Sequence, residues 1–148
     1  MSSQTGQSSS RIVVGVDGSD ESKQALRWAA EQAGYTGSSL DVVTAWQVPL
    51  GFGWPAVLPE DYDPAADAKK VLDAVIEEVL GENPDVQIRR IVEEGQAASA
   101  LLEHSKGARE LVVGSRGRGG FTGMLLGSTS HQCVQHATCP VVVIRHND

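Results

Sequence analysis

Two hydrophobic rhythms alternate along the chain. Short continuous apolar runs occupy residues 11–16, 40–46, 86–92, 110–113 and 141–144. Runs of this length fit strands, and the densest of them fit strands covered on both faces. Between them the apolar residues recur at helical spacing. Ala25, Leu26, Ala29, Ala30 and Ala33 make a narrow face of small residues, which allows close packing on a sheet. Ala68, Val71, Leu72, Val75, Ile76, Val79 and Leu80 make a second face, and Ala98, Leu101 and Leu102 a third. A last helix is predicted through Cys133 and Val134 to about Ala137.

The polar punctuation agrees with these limits. Asp17-Gly18-Ser19 is turn chemistry, with Ser19 as a helix cap and Asp20 and Glu21 suited to the first turn. Residues 34–39 close that helix. Asp63-Pro64 starts the second helix and Gly81 ends it. The run at 86–92 carries Gln87, Arg89 and Arg90, as a sheet edge would. Residues 47–64 are the least regular piece, rich in Pro and Gly, with Phe52, Trp54 and Tyr62. A loop of that length is either functional or lies over the sheet edge.

Strand and helix thus alternate four times before a final strand. That order predicts an α/β domain of three layers, αβα: a Rossmann-like, five-stranded parallel sheet with right-handed crossovers. Ligands of such folds sit at the carboxyl ends of the strands, at a topological switch point. The expected domain runs over residues 11–146, after a flexible polar tail at 1–10.

Composition narrows the function classes. The 148 residues carry a net charge of −7, with 41% hydrophobic and 5% aromatic residues. With pI near 5.0, a broad nucleic-acid or anionic-membrane surface is not expected. No apolar run reaches the roughly 18 residues of a membrane span. The start lacks the basic and apolar regions of a secretory signal. Cys133 and Cys139 have no metal or CxxC spacing and are read as reduced thiols. A cytoplasmic location is expected.

Against that acidity, residues 111–130 stand out. An apolar strand stops at Gly114, and glycines follow at 117, 119, 120, 123 and 127, with Arg116 and Arg118 among them. Ser128, Thr129 and Ser130 then open a helix. Glycines admit close backbone approach, a helix N-terminus offers unpaired N–H donors, and arginines donate charge-assisted hydrogen bonds to phosphate. The stretch is built like a phosphate cradle. It is not a Walker A loop, because Gly120 stands where lysine is required. It is not the dinucleotide fingerprint either, since Thr122 replaces the third glycine and the loop follows the wrong strand.

What remains is Gly114-x2-Gly117-x9-Gly127-Ser128. With the opening Ile-Val-Val-Gly-Val-Asp-Gly-Ser and the close Cys-Pro-Val-Val-Val-Ile, it resembles the universal stress protein family, in the branch that binds ATP through G-x2-G-x9-G-[ST]. The resemblance implies strand order 3-2-1-4-5. It implies that Gly15, Val16, Asp17 and the backbone near Ala45 line an adenosine pocket. Gly114, Ser115, Arg116, Gly117 and Arg118, with Gly127, Ser128, Thr129 and Ser130, would hold ribose and phosphates. Mg²⁺ would ride on the phosphates, with no protein ligand assigned. A homodimer through the last strand, Val141–Ile144, is also implied. Arg109-Glu110 departs from the family pattern, far from the expected phosphates.

No catalytic residue can be named. Glu93, Glu94 and His104 have no evident route to the phosphates, so a nucleotide-dependent regulatory protein is favoured over a slow ATPase. A cyclic-AMP-binding member of the same fold is the subtler alternative. His131 and His136, five apart, fall on different helix faces and make a poor metal pair.

Overall fold

The computed structural model describes residues 10–48, 50–51, 54–55, 61–81, 85–116 and 126–145. In chain order the elements are β1 (Arg11–Gly15), α1 (Asp20–Thr36), β2 (Ser39–Trp46), β3 (Leu50–Gly51) and β4 (Trp54–Pro55). There follow α2 (Pro64–Leu80), β5 (Ile88–Glu94), α3 (Ala97–His104), β6 (Glu110–Gly114), α4 (Ser128–His136) and β7 (Val141–Ile144). Five strands form one sheet in the order β5-β2-β1-β6-β7. Every pairing in it is parallel. Counting sheet strands alone, this is the expected 3-2-1-4-5. The irregular piece after β2 contains something the sequence reading lacked: a short antiparallel pair, β3 with β4.

Alternation of side chains along each strand divides the core in two. Ile12, Val14, Leu40 and Val42 face α1 and α2, where Ala25, Leu26, Ala29, Leu72, Val75 and Ile76 meet them. Val13, Val43, Leu111 and Val113 face the other way, onto Leu101 of α3 and Cys133 of α4. Leu26, Leu72 and Ile76 are fully buried; each such side chain contributes about 1.5–3 kcal/mol of hydrophobic stabilisation. The alanine face of α1 lies against the sheet as its spacing predicts. Val71, counted on the apolar face of α2, instead points outward and is 42% exposed. The contact face of α2 is narrower than the run of apolar residues, because Leu72, Val75 and Ile76 already fill it.

The caps form as the sequence predicts. Ser19 Oγ accepts from Ser22 N–H at 3.2 Å, and Asp63 Oδ1 accepts from Ala66 N–H at 3.1 Å. Gly37 closes α1 at φ 69°, a left-handed conformation that glycine adopts without steric cost.

At the amino ends of the strands, Asp41 is buried between β1 and β5. Arg89 donates to its Oδ2 at 2.9 Å, and Arg11 Nη1 stands 3.6 Å from the same oxygen. Arg11 also donates to the carbonyls of His104 (2.6 Å) and Lys106 (2.5 Å), satisfying the end of α3. One carboxylate thus joins three strands and a helix end. Among the described residues no helix is long and apolar enough to cross a membrane.

Candidate functional site

The site is positioned by topology. β1 and β6 are neighbours, but β1 leads into α1 on one face and β6 leads toward α4 on the other. Their carboxyl ends therefore part around a crevice, the place where open α/β sheets take ligands. Pairing continues just past the strand ends. Val16 N–H donates to Val43 O at 2.9 Å, and Ser115 N–H donates to Ile144 O at 2.7 Å.

Gly15, Val16 and Asp17 lie at the β1 end of the crevice. Asp17 is exposed and shapes the turn into α1: its Oδ1 accepts from Ser19 N–H at 2.9 Å and from Ser19 Oγ at 2.5 Å. The Asp17 N–H donates to Ser22 Oγ at 3.3 Å. Ala45 is half-buried on β2, opposite Glu93 of β5.

At the β6 end, two separate pieces of the glycine-rich stretch are joined. Gly127 N–H donates to Ser115 O at 2.6 Å. The Ser130 hydroxyl donates to the Gly114 carbonyl. Ser115, Gly127 and Ser130 are buried, whereas Ser128 is exposed and Thr129 half-buried. Gly127 is the N-cap of α4 and has no side chain with which to cap that end. The first turn of α4 thus begins with backbone donors that its cap residue cannot satisfy. Residues 117–125 lie outside the described residues, and with them the expected contacts of Gly117 and Arg118.

Two of the expected glycines have a packing reason of their own. A Cβ on Gly114 would lie 2.8 Å from Glu21 Cβ and 3.0 Å from the Glu21 carbonyl carbon, in the first turn of α1. A Cβ on Gly15 would lie 2.8 Å from Leu101 Cδ1. Both sites are closed by neighbouring helices.

Arg116 also turns toward α1. Its Nε stands 3.4 Å from Glu21 Oε2, with the arginine side chain 31% and the glutamate 13% exposed. Glu21 is the residue that sequence reasoning missed. Its position in the first turn after a Ser cap marked it only as a partner of the helix dipole; proximity to Arg116 depends on β1 and β6 being adjacent.

The remaining candidate chemistry lies elsewhere. His131 and His136 are exposed, and His104 Nε2 is 3.0 Å from Glu93 Oε1. Among the described residues no three His, Cys, Asp or Glu side chains are grouped to hold a metal. Burial pushes the Cys133 thiol up to about 11, with nearby Cys139 adding to it, as for an unreactive core cysteine. A groove of about 670 Å³, lined by Arg11, Ser38, Asp41 and Arg89 among others, opens at the amino ends of the strands. It lies at the opposite end of the sheet from the crevice and contains none of the expected ligand residues.

The universal stress protein family model matches residues 9–145. A universal stress protein of Mycolicibacterium smegmatis is 39% identical over 134 residues, covering 90% of this chain and 45% of that protein. The chain thus spans a little under half the length of such curated relatives. Among solved structures, a universal stress protein in complex with cAMP superposes with a TM-score of 0.70 at 24% identity, covering 93% of this chain and 97% of that one. The Archaeoglobus fulgidus universal stress protein in complex with dAMP gives 0.63 at 23% identity, covering 91% and 97%. At these identities the likeness to the solved structures is one of fold.

Proposed function

We propose, from the premise that this chain belongs to the universal stress protein family, that it is an ATP-binding regulatory module of the stress response. The observation that carries the reading is the joint between Ser115 and Gly127. It sets the end of β6 and the glycine-capped start of α4 side by side at the switch point, where backbone donors suit phosphate oxygens. In this reading Gly15, Val16, Asp17 and the Ala45 backbone hold the adenosine. Residues 114–118 and 127–130 hold ribose and phosphates. Mg²⁺ accompanying the phosphates, with no protein ligand assigned, would supply charge neutralisation there. The two neighbours bound to cAMP and dAMP favour an adenine nucleotide.

The module is read as a binder that responds to nucleotide, cytoplasmic and homodimeric. Among the described residues β7 is an edge strand, which supports the dimer. Its four residues are all Val or Ile, all half-buried, on the last strand of the sheet, and an open apolar edge is a template for pairing.

Titration calorimetry with ATP and Mg²⁺, repeated in excess cyclic AMP, tests the reading. Saturable binding of one ATP per chain, displaced by adenine nucleotides, is expected. Heat with cyclic AMP and none with ATP favours the second reading, a cyclic-nucleotide binder, for which the cAMP-bound neighbour is the specific support. Steady ATP turnover abolished by Gly117→Ala would replace the binder with an ATPase.

A further inference from the structure

We infer that Glu21 sets how strongly the charge of a bound phosphate counts, by neutralising Arg116 at the lip of the β1–β6 crevice. The inference rests on the nucleotide reading and adds a specificity-determining residue to it. Gly114 brings β6 so close to the first turn of α1 that the Glu21 backbone lies against it. From there Glu21 Oε2 reaches Arg116 Nε at 3.4 Å. The carboxylate is only 13% exposed, so water screens it weakly. It also occupies the positive end of α1, whose first turn holds Asp20 and Glu21. The chain thus supplies its own anion where an incoming anion would find both an arginine and a helix end.

Competition between the Glu21 carboxylate and a phosphate for the one Arg116 guanidinium has two consequences. With Glu21 ionised, the Glu21–Arg116 pair presents no net charge to the crevice, so each added phosphate gains little. With Glu21 made neutral but isosteric, Arg116 contributes a full positive charge. A charge-assisted hydrogen bond then becomes available to phosphate without competition. The nucleoside portion of the ligand feels neither change.

The test is titration calorimetry of adenosine, AMP and ATP, without Mg²⁺ and at fixed low salt, on wild type, Glu21→Gln, Arg116→Gln and the double variant. Glu21→Gln is expected to tighten ATP about tenfold and AMP less, leaving adenosine within about twofold, in keeping with one uncontested charge-assisted contact. In the Arg116→Gln background the Glu21→Gln gain should fall by at least half on a logarithmic scale. Thermal melts of each variant establish that it is folded. Weaker ATP binding by Glu21→Gln would mean that the carboxylate orients Arg116 for the ligand, and overturns the inference. Equal tightening of adenosine and ATP overturns it too, as does a gain undiminished by loss of Arg116. A wild type that takes up none of the three ligands defeats the nucleotide reading together with this inference. ATP binding that responds to Arg116→Gln but not to Glu21→Gln defeats this inference alone.

Discussion

Replacing Gly114 by alanine tests the junction between β6 and α1 on which the site depends. The new Cβ would meet Glu21 Cβ at 2.8 Å, the Glu21 carbonyl carbon at 3.0 Å and its oxygen at 3.2 Å, where ordinary contact begins at 3.4 Å. Two of the three atoms are backbone, so no rotamer change relieves them. The first turn of α1 must retreat by about 0.6 Å, the difference between 3.4 and 2.8 Å. It is tethered by the Ser19 cap and by the Asp17 turn. Overpacking of this kind costs about 1–3 kcal/mol. Two controls separate packing from the mere presence of a methyl group. At Gly15 the clash is with Leu101 Cδ1, the far end of a flexible side chain, so Gly15→Ala should cost less. At Gly34, an exposed position of α1, nothing lies within 4 Å. There alanine should stabilise by up to about 1 kcal/mol through helix propensity. Urea unfolding at pH 7 reads all three. With a slope of about 2 kcal/mol/M, a 2 kcal/mol loss moves the midpoint of Gly114→Ala down by about 1 M. An unchanged midpoint for Gly114→Ala, or a larger loss for Gly15→Ala, would show that the contact of β6 with α1 is not what requires glycine at 114.

Three further expectations concern the frame around the site. Asp41→Asn should cost about 2 kcal/mol in urea unfolding, because it removes a buried charge that Arg89 and Arg11 share. That is below the full cost of breaking a buried pair, since the exposed side of Arg89 can rehydrate. Hydrogen bonds from Lys69, then from Arg90, hold the Asp73 carboxyl below its ordinary 3.8. Its contribution is therefore present above that value and lost as pH falls through the lower folded value. The stability deficit of Asp73→Asn relative to wild type should shrink between pH 6 and pH 3, and a deficit that grows toward acid would contradict the pairing. At pH 8 iodoacetamide should label Cys139 readily. It should reach the fully buried Cys133 only on unfolding, since that thiol is pushed up to about 11; mass spectrometry of the native protein checks this.

The fold was legible because its signals are local. Short Val- and Ile-rich runs, helical spacing of alanines and leucines, and the Ser19, Asp63 and Gly81 caps each act within a few residues. Element limits shifted by up to two residues where no such cap exists: the third sheet strand begins at Ile88 rather than at residue 86 and runs on to Glu94. The β3–β4 pair was not legible, since two-residue strands carry no periodicity. The candidate site was proposed from glycine and serine spacing. Its wiring was not legible there. The Ser115–Gly127 joint, the Glu21–Arg116 pair and the Asp41–Arg11–Arg89 cluster bring together residues far apart in sequence, and only the strand order makes them neighbours. Gly114 is the clearest case. Its spacing matches a ligand motif, while its missing side chain is also explained by contact with α1.

The crevice between β1 and β6 is proposed to take an adenine nucleotide. Equilibrium dialysis of the full chain against radiolabelled ATP with Mg²⁺, with unlabelled adenosine and AMP as competitors, tests it most directly. The expected result is saturable retention approaching one ATP per chain, competed by both ligands and weakened by Arg116→Gln together with Ser128→Pro at the first residue of α4. Absence of retention at millimolar ATP, or retention indifferent to both competitors, would contradict it.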